Sequence, residues 1–220
     1  MHGSKHPRVL LSVALIIGWV CLQNWAGHQG FVSTWARDLR VRYSRSLVPS
    51  GSLKRDTKIY GGDVSSVAFL VDGKHVVGSG EGGKIRRWRV ADGVEVGTPM
   101  EAESAVYSVA VSQDGKWIVS GTKSGSVQVW NAESGEKVTE FKSPRVKTAV
   151  REVDVSPDST QIVSGSGGGT VFVWSLSTWK PLFGPWRPSS SADVLAVKFS
   201  PDGRLIATAW SSPQCVRVRP

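Results

Sequence analysis

Apolar and polar residues alternate in short runs over most of this 220-residue chain, and turn signals rich in Asp, Ser and Gly separate the runs. In one well-defined stretch the predicted strands are 108–112, 117–121, 126–131 and 137–141. Alternation with a period of two is typical of half-buried strands, and Asp, Asn, Ser and Gly favour the turns between them. The pattern predicts an all-β unit of four antiparallel strands.

The same unit recurs along the chain at spacings of 42 to 44 residues. The turn aspartates that mark it are Asp72, Asp114, Asp158 and Asp202. A tryptophan follows sixteen residues after each of the first three aspartates, at Trp88, Trp130 and Trp174. The predicted repeats cover residues 61–100, 103–142, 147–184 and 192–220, and the last one stops before a fourth strand. Units of this kind bury their faces only by stacking on neighbours.

These motifs together resemble the WD repeat. The residues that carry the resemblance are SPDG at 200–203, IVSGS at 162–166 and TVFVW at 170–174. It covers Ile59 to Pro220 and implies a ring of four-stranded blades, commonly seven, which holds protein partners and seldom catalyses a reaction. The expected fold is therefore an all-β WD-repeat β-propeller with three complete blades and a partial fourth, forming an incomplete or open ring.

The repeats depart from the family pattern at several positions. No Asp follows the repeat tryptophans, and the Asp expected six residues before each of them is replaced by Gly82, Ser124 and Gly168. Gly61-Gly62 stands where the family has Gly-His. We align Ser79 with Ser120 and Ser164 as the serine of the family's Asp–His–Ser–Trp hydrogen-bond network. Without Asp and His we expect that network to be absent, so that Trp and β-branched packing alone stiffen the blades.

The number of repeats leaves ring closure open. In the fourth unit Arg219 takes the place of the repeat Trp, and no further strand follows. Residues 56–60 (DTKIY) could supply that strand and close a four-blade ring. Such a ring needs unusually sharp curvature, which favours an open arc, association with another chain through free strand edges, or a fragment of a longer array.

Residues 1–30 form a hydrophobic leader and residues 31–55 a basic linker. Basic residues precede the uncharged run 9–22, whose length matches the apolar region of a signal peptide. Uncleaved and extended through Trp25, the run would be a membrane anchor. A buried helix and a misplaced start codon are the alternatives. The lack of Asn-x-Ser/Thr sites and of a disulfide pair favours an intracellular, cytoplasmic location over a secreted or membrane-anchored one.

Charge is concentrated before the repeats. Residues 1–60 carry nine Lys and Arg against two Asp, a net charge of +7, whereas residues 61–220 carry eighteen against sixteen, a net charge of +2. The folded repeats therefore lack the basic field typical of nucleic-acid binding. The basic segment from Arg37 to Lys58 is a less favoured hypothesis for a nucleic-acid site. The apolar residues Trp35, Leu39 and Tyr43 form one stripe of a predicted short helix, which would be either a membrane-surface helix or a linker helix.

The chain lacks the residues that most enzymes need. Three of its four histidines, His2, His6 and His28, lie in the leader, and His75 has no recurring partner. The two cysteines, Cys21 and Cys215, exclude a disulfide-built scaffold and a multi-cysteine zinc site. Residues 78–84 match the spacing of a phosphate-binding loop, but Ile85 replaces the hydroxyl residue that must follow. We predict a protein without catalytic activity, cofactor or metal.

A protein-interaction scaffold is the leading hypothesis for function, with unidentified protein partners and self-association to complete the ring. Aromatic residues and Arg are enriched at interaction hot spots. The candidate partner-binding residues are Glu81, Arg87, Trp117, Lys123, Trp179 and Trp186. Trp179 and Trp186 lie in a predicted long connection, 175–192, that contains three prolines. Arg87 is unusual because Val129 and Val173 hold the matching positions, which should point between blades. A buried Arg needs a paired anion, such as Glu81 or Glu103, or must reach solvent at a blade edge. The predicted contact surfaces are the turns 81–84, 123–126 and 167–170 with the rims 101–105 and 145–148.

Overall fold

A computed structural model describes residues 64–142, 148–187, 192–211 and 214–220. The predicted leader, the basic linker and the closing strand at 56–60 lie outside the described residues. The described part folds into fifteen β-strands. None of its residues belongs to a helix that is long and apolar enough to cross a membrane.

The strands form four antiparallel sheets, blades 1 to 4 in chain order. Blade 1 consists of β1 (Val64–Phe69), β2 (His75–Gly80), β3 (Lys84–Arg89) and β4 (Met100–Glu101). Blade 2 consists of β5 (Val106–Val111), β6 (Trp117–Thr122), β7 (Ser126–Asn131) and β8 (Lys137–Lys142). Blade 3 consists of β9 (Val150–Val155), β10 (Gln161–Ser166), β11 (Thr170–Ser175) and β12 (Pro181–Trp186). Blade 4 consists of β13 (Val194–Phe199), β14 (Ile206–Ser211) and β15 (Gln214–Arg219).

The first strands of successive blades, β1, β5, β9 and β13, pack beside one another, so the blades fan out from a common inner edge. The fan is open, because β1 does not pack beside β13 as the successive inner strands do. The all-β prediction of three complete blades and a partial fourth is confirmed. Each blade is an antiparallel sheet that buries one apolar face against each neighbouring blade, and this burial makes the blades stack.

Strand register aligns the blades residue by residue and corrects one sequence alignment. Val109 pairs with Ser120 in blade 2, whereas Val67 pairs with Gly78 in blade 1. The residue equivalent to Ser120 and Ser164 is therefore Gly78, and the prediction that Ser79 takes this place is wrong. A Cβ atom at Gly78 would lie 2.9 Å from Cζ3 of Trp88, so blade 1 gives up the hydroxyl to make room for the indole ring.

Branched aliphatic side chains from neighbouring blades meet at each joint, which is the packed interface between two blades. At joint 2–3, Val127 and Val129 of β7 share a buried cluster with Val150 and Val153 of β9. At joint 3–4 the corresponding residues are Val171 and Val173 of β11 with Val194 and Val197 of β13. Joint 1–2 has Ile85 of β3 against Val106 and Val109 of β5. Burying each such side chain contributes about 1.5–3 kcal/mol.

Hydrogen bonds also cross the joints. The pairing of β5 with β6 and that of β9 with β10 each contain a register shift. Close to the first of these shifts, the N–H of Val109 donates to Ser66 Oγ at 3.1 Å. The N–H of Val153 likewise donates to Ser108 Oγ at 3.2 Å. Because Ser66 and Ser108 hold equivalent positions, the same bond repeats at joints 1–2 and 2–3.

At joint 3–4 Glu152 holds the position of this serine, and the hydrogen bond across the joint is made by Asp154, two residues further along. Asp154 Oδ2 accepts the Phe199 N–H at 2.8 Å, and Lys198 Nζ lies 3.3 Å from Asp154 Oδ1 and 3.5 Å from Glu152 Oε1. Burial raises the pKa of Glu152, although the positive charge of Lys198 opposes this change. One lysine thus holds two neighbouring carboxyl groups at the joint.

The turn aspartates lie at the surface and organise the turns between the first two strands. Ser156 Oγ donates to Asp158 Oδ1 at 2.6 Å and accepts the Gln161 N–H at 2.9 Å. The same pattern occurs in the turns of blades 2 and 4. Hydrogen bonds from the Ser156 and Thr160 hydroxyls lower the pKa of Asp158 below its usual value. The carboxylate therefore accepts hydrogen bonds from turn groups that have no backbone acceptor.

The segment predicted as a long connection contains a strand within its described residues, 175–187. The segment contains β12, which runs from Pro181 to Trp186 and pairs with β11. Proline is tolerated on an edge strand because one side of that strand needs no ladder hydrogen bonds. This strand completes blade 3 and brings Trp186 to joint 3–4.

Candidate functional site

One end of the described blades is built from turns and connections that bond to one another. This loop end consists of the turns 81–83, 123–125 and 167–169 with the connections 102–105, 148–149 and 192–193. The Lys123 N–H donates to the Ala105 carbonyl at 2.8 Å, and the Gly167 N–H donates to the Ala149 carbonyl at 2.9 Å. Asp193 Oδ1 accepts the Gly168 N–H at 2.8 Å, which links blade 3 to the connection that enters blade 4. The backbone of this end is therefore fixed.

A close backbone approach explains one glycine of the loop end. Gly125 has a φ of 87°, and a Cβ atom there would lie 2.8 Å from the Thr148 carbonyl oxygen. Only glycine adopts this conformation at low cost. The turn of blade 2 thus packs directly against the connection that enters blade 3.

The predicted residues Glu81 and Lys123 both lie on this loop end, exposed at the turns of blades 1 and 2. Lys84 and Glu101 form an ion pair at 3.2 Å beside Glu81. The side chains on this end carry both signs of charge. The predicted turn surfaces 81–84, 123–126 and 167–170 and the rim 101–105 meet here, whereas residues 145–147 of the other rim lie outside the described residues.

Four charged side chains form a network at the outer side of blade 2. Glu103 lies 3.1 Å from Lys142 and 3.6 Å from Lys137, and Glu140 lies 2.9 Å from Lys142 and 3.5 Å from Lys137. Burial alone would raise the pKa of Glu140, but hydrogen bonds from Lys142 and Ser126 lower it. The connection before β5 is thereby tied to β8.

Sequence reasoning missed an aromatic and cationic pair on the inner strands. The Arg151 guanidinium lies 5.7 Å from the centre of the Tyr107 ring, and its Nη2 lies 3.9 Å from Asp193. Both residues follow the first valine of their inner strand, so they share one position of the repeat. The signal in the sequence was the variability of this position, which holds Ser65, Tyr107, Arg151 and Leu195 beside an unvarying valine.

The repeat tryptophans retain half of the network that was expected to be absent. Trp130 Nε1 donates to Ser120 Oγ at 2.9 Å, and Trp174 Nε1 donates to Ser164 Oγ at 3.0 Å. The expectation that packing alone stiffens the blades is therefore wrong for blades 2 and 3. Trp88 is buried in blade 1 opposite Gly78, which has no hydroxyl group to offer.

Blade 4 replaces the missing repeat tryptophan with one from another strand. Trp210 lies on β14, is fully buried, and its Nε1 donates to Thr208 Oγ1 at 2.9 Å. Thr208 holds the position equivalent to Ser120 and Ser164. The same hydroxyl–indole bond thus forms although Arg219 stands at the usual Trp position.

The three candidate tryptophans pack at joints between blades. Trp117 and Trp179 meet edge to face with ring centres 5.4 Å apart, against the buried cluster of joint 2–3. Trp186 meets Trp210 edge to face at 5.7 Å, and the Arg219 guanidinium lies 4.3 Å from its ring centre. All three side chains are half-buried, so only part of each ring is open to a partner.

Arg87 faces joint 1–2, as its alignment with valines predicted. It pairs with Val77 across β2 and β3, and its Nε atom is buried without a hydrogen-bond partner in the described part of the chain. Among those residues it forms no ion pair with Glu81 or Glu103, the two partners suggested by the sequence. Gln128 of β7 faces the same joint, is fully buried, and neither of its side-chain amide atoms has a partner there.

Replacing this amide should stabilise the protein. We expect Gln128→Leu to raise the free energy of unfolding by about 1–3 kcal/mol, because an unsatisfied buried polar group costs that much. Urea unfolding followed by circular dichroism measures the change, with Gln113→Leu at an exposed turn as the control. A loss of stability in Gln128→Leu alone would contradict the prediction, since it would mean that the amide is hydrogen-bonded.

One cavity in the described part of the chain lies within joint 2–3. Its volume is about 20 Å³, which is room for about one water molecule, and its lining is mainly apolar, with Phe141, Phe172 and Trp174 beside the hydroxyl residues Thr148 and Ser164. No group of three or more His, Cys, Asp and Glu side chains in the described part is placed to hold a metal ion. His75 instead bonds to Asp72 in an exposed turn, with 2.6 Å between Nδ1 and Oδ2.

Comparison with known proteins relates the fold to one repeat family. The family model described as WD domain, G-beta repeat matches residues 53–89, 94–131, 135–175 and 184–218. The crystal structure of RRP9 WD40 repeats is similar with a TM-score of 0.65 and 22% identity, over 74% of this chain and 50% of that one. The structural similarity shows a shared fold, and at this identity it shows the fold alone; the chain spans half the length of that structure. No curated protein matches the chain.

Proposed function

Because this chain belongs to the WD40 repeat family, we propose that it is a non-catalytic scaffold that holds a protein partner on its loop end. WD40 repeat proteins generally act as protein-interaction scaffolds. The hydrogen-bonded frame of the loop end carries the proposal, because it fixes the backbone beneath exposed charged side chains. A surface that is ordered before binding loses little conformational entropy when a partner docks.

The chemistry of the loop end fits a protein surface of mixed charge. Glu81 and Glu101 present carboxylates, and Lys123 and Arg151 present cations, all of them exposed. Tyr107 lies beside Arg151 at the inner edge of the fan and adds an aromatic surface. Complementary charges fix the orientation of a partner, whereas buried aromatic and Arg side chains supply most of the affinity. The partner contact is therefore proposed to centre on Tyr107 and Arg151, with Glu81 and Lys123 around them.

Charge reversal on the loop end tests this proposal. We expect the tagged full chain to recover a reproducible set of proteins from cells, and Glu81→Lys with Lys123→Glu to lose part of that set. The matched control is Lys116→Glu with Glu133→Lys, which reverses exposed charges at the opposite end of blade 2 and keeps the net charge. Quantitative mass spectrometry of the captured proteins is the measurement.

Two results would argue against the loop end as a binding surface. The first is that the unmodified chain captures nothing above the background of the tag. The second is that the loop-end variant and the control variant capture the same proteins in the same amounts.

A further inference from the structure

The two ends of the fan each expose a valine pair that is buried in the other blades. At the blade 1 end, Val64 and Val67 of β1 are 45% and 64% exposed. The matching pairs of β5, β9 and β13 are all buried against the preceding blade: Val106 and Val109, Val150 and Val153, Val194 and Val197. Blade 1 thus presents one half of a joint with no preceding blade among the described residues.

The other half of a joint lies at the blade 4 end. Val216 and Val218 of β15 are 40% and 58% exposed. Register makes them equivalent to Val127 and Val129 of β7 and to Val171 and Val173 of β11, which are buried against the following blade. The free ends therefore carry the same two halves, valine for valine, that form joints 2–3 and 3–4.

We propose that a second copy of this chain closes the ring, with Val64 and Val67 of one copy packed against Val216 and Val218 of the other. The open fan keeps β1 apart from β13, so one chain does not make this joint with itself. The matched part of the chain covers half of the RRP9 WD40 structure, so two such fans have about the extent of that structure. This proposal is independent of any partner on the loop end.

A two-fold axis satisfies both ends at once. Each contact joins the blade 1 end of one copy to the blade 4 end of the other. The two-fold axis produces this contact twice, so that no end stays free and the assembly is closed. The result is one ring of two four-blade fans. The ring removes the four exposed valines at each copy's ends from water, and burial of apolar surface favours the assembly.

Sedimentation equilibrium of the full chain tests the proposal. We expect a discrete species of twice the 23.7 kDa chain mass. Val67→Asp and Val218→Asp should each give a monomer, because either one places a carboxylate in both joints of the ring. Val138→Asp on β8 is the control, since Val138 is 44% exposed and lies away from both ends. Circular dichroism shows that each variant is folded.

Mixing the two variants identifies the contact. A ring that combines Val67→Asp in one copy with Val218→Asp in the other has both carboxylates in one joint and leaves the second joint unchanged, so the mixture should associate where each variant alone does not. A monomeric unmodified chain, open-ended polymers, or sensitivity to only one of the two substitutions would overturn the proposal.

Discussion

Trp130→Ala is expected to lower the free energy of unfolding by about 3–5 kcal/mol, the range for removing a large aromatic side chain from a core. Trp130 is buried in the cluster of joint 1–2, together with Val77 and Ile85 of blade 1. Its loss therefore weakens the packing of two blades at once. Urea unfolding followed by circular dichroism and by tryptophan fluorescence measures the change.

Two further variants separate the contribution of the Trp130 aromatic ring to stability from that of its hydrogen bond. Trp130→Phe keeps an aromatic ring but removes the donor to Ser120 Oγ, and Ser120→Ala removes the acceptor. A buried hydrogen bond contributes about 0.5–1.5 kcal/mol net, so both variants should lose much less than Trp130→Ala, and in combination they should lose less than the sum. Val138→Ala at an exposed site is the control. A loss below 1 kcal/mol for Trp130→Ala would mean that joint 1–2 does not hold blade 2.

The strands of blades 2 and 3 could be predicted from the sequence because turn, tryptophan and β-branched signals keep one register. The observed β6 and β7 begin at the predicted residues, Trp117 and Ser126. β12 was only partly foreseen because its prolines suggested a loop. An edge strand accepts them, and nothing local to the sequence says which strand lies at an edge.

The hydrogen-bonding partners of the tryptophans could be predicted less well. Matching residues by type placed Ser79 with Ser120, but strand pairing puts Gly78 there and uses the space for the Trp88 ring. Trp210 gave no repeat signal because it lies on a different strand from the other tryptophans. Its bond to Thr208 becomes visible only when the packing of blade 4 is known.

The candidate site could likewise be predicted only in part from the sequence. Turn signals were sufficient to place Glu81 and Lys123 at the loop end, since both turns follow the second strand of a blade. The contact between Trp117 and Trp179 joins residues of two different blades, so it depends on how blades stack. A single repeat contains no information on that geometry.

Gly165→Ala is expected to destabilise the protein by about 1–3 kcal/mol, the usual cost of overfilling a packed core. A Cβ atom at Gly165 of β10 would lie 2.5 Å from Cγ1 of Val194 and 2.9 Å from Cγ1 of Val197. Both valines are buried at joint 3–4, and their β-branched side chains have little rotamer freedom. The blades themselves must therefore move apart.

Two further variants distinguish this clash from a general effect of alanine. Gly82→Ala lies in an exposed turn where a Cβ atom meets nothing within 4 Å, so it should be neutral or stabilise slightly. Val194→Ala removes the Cγ1 atom that the new methyl group would strike, so Gly165→Ala should cost less in the Val194→Ala background than alone. If Gly165→Ala lowered the free energy of unfolding equally in both backgrounds, Val194 would not pack against Gly165 at joint 3–4. The coupling between these two residues thus measures directly how tightly neighbouring blades are packed.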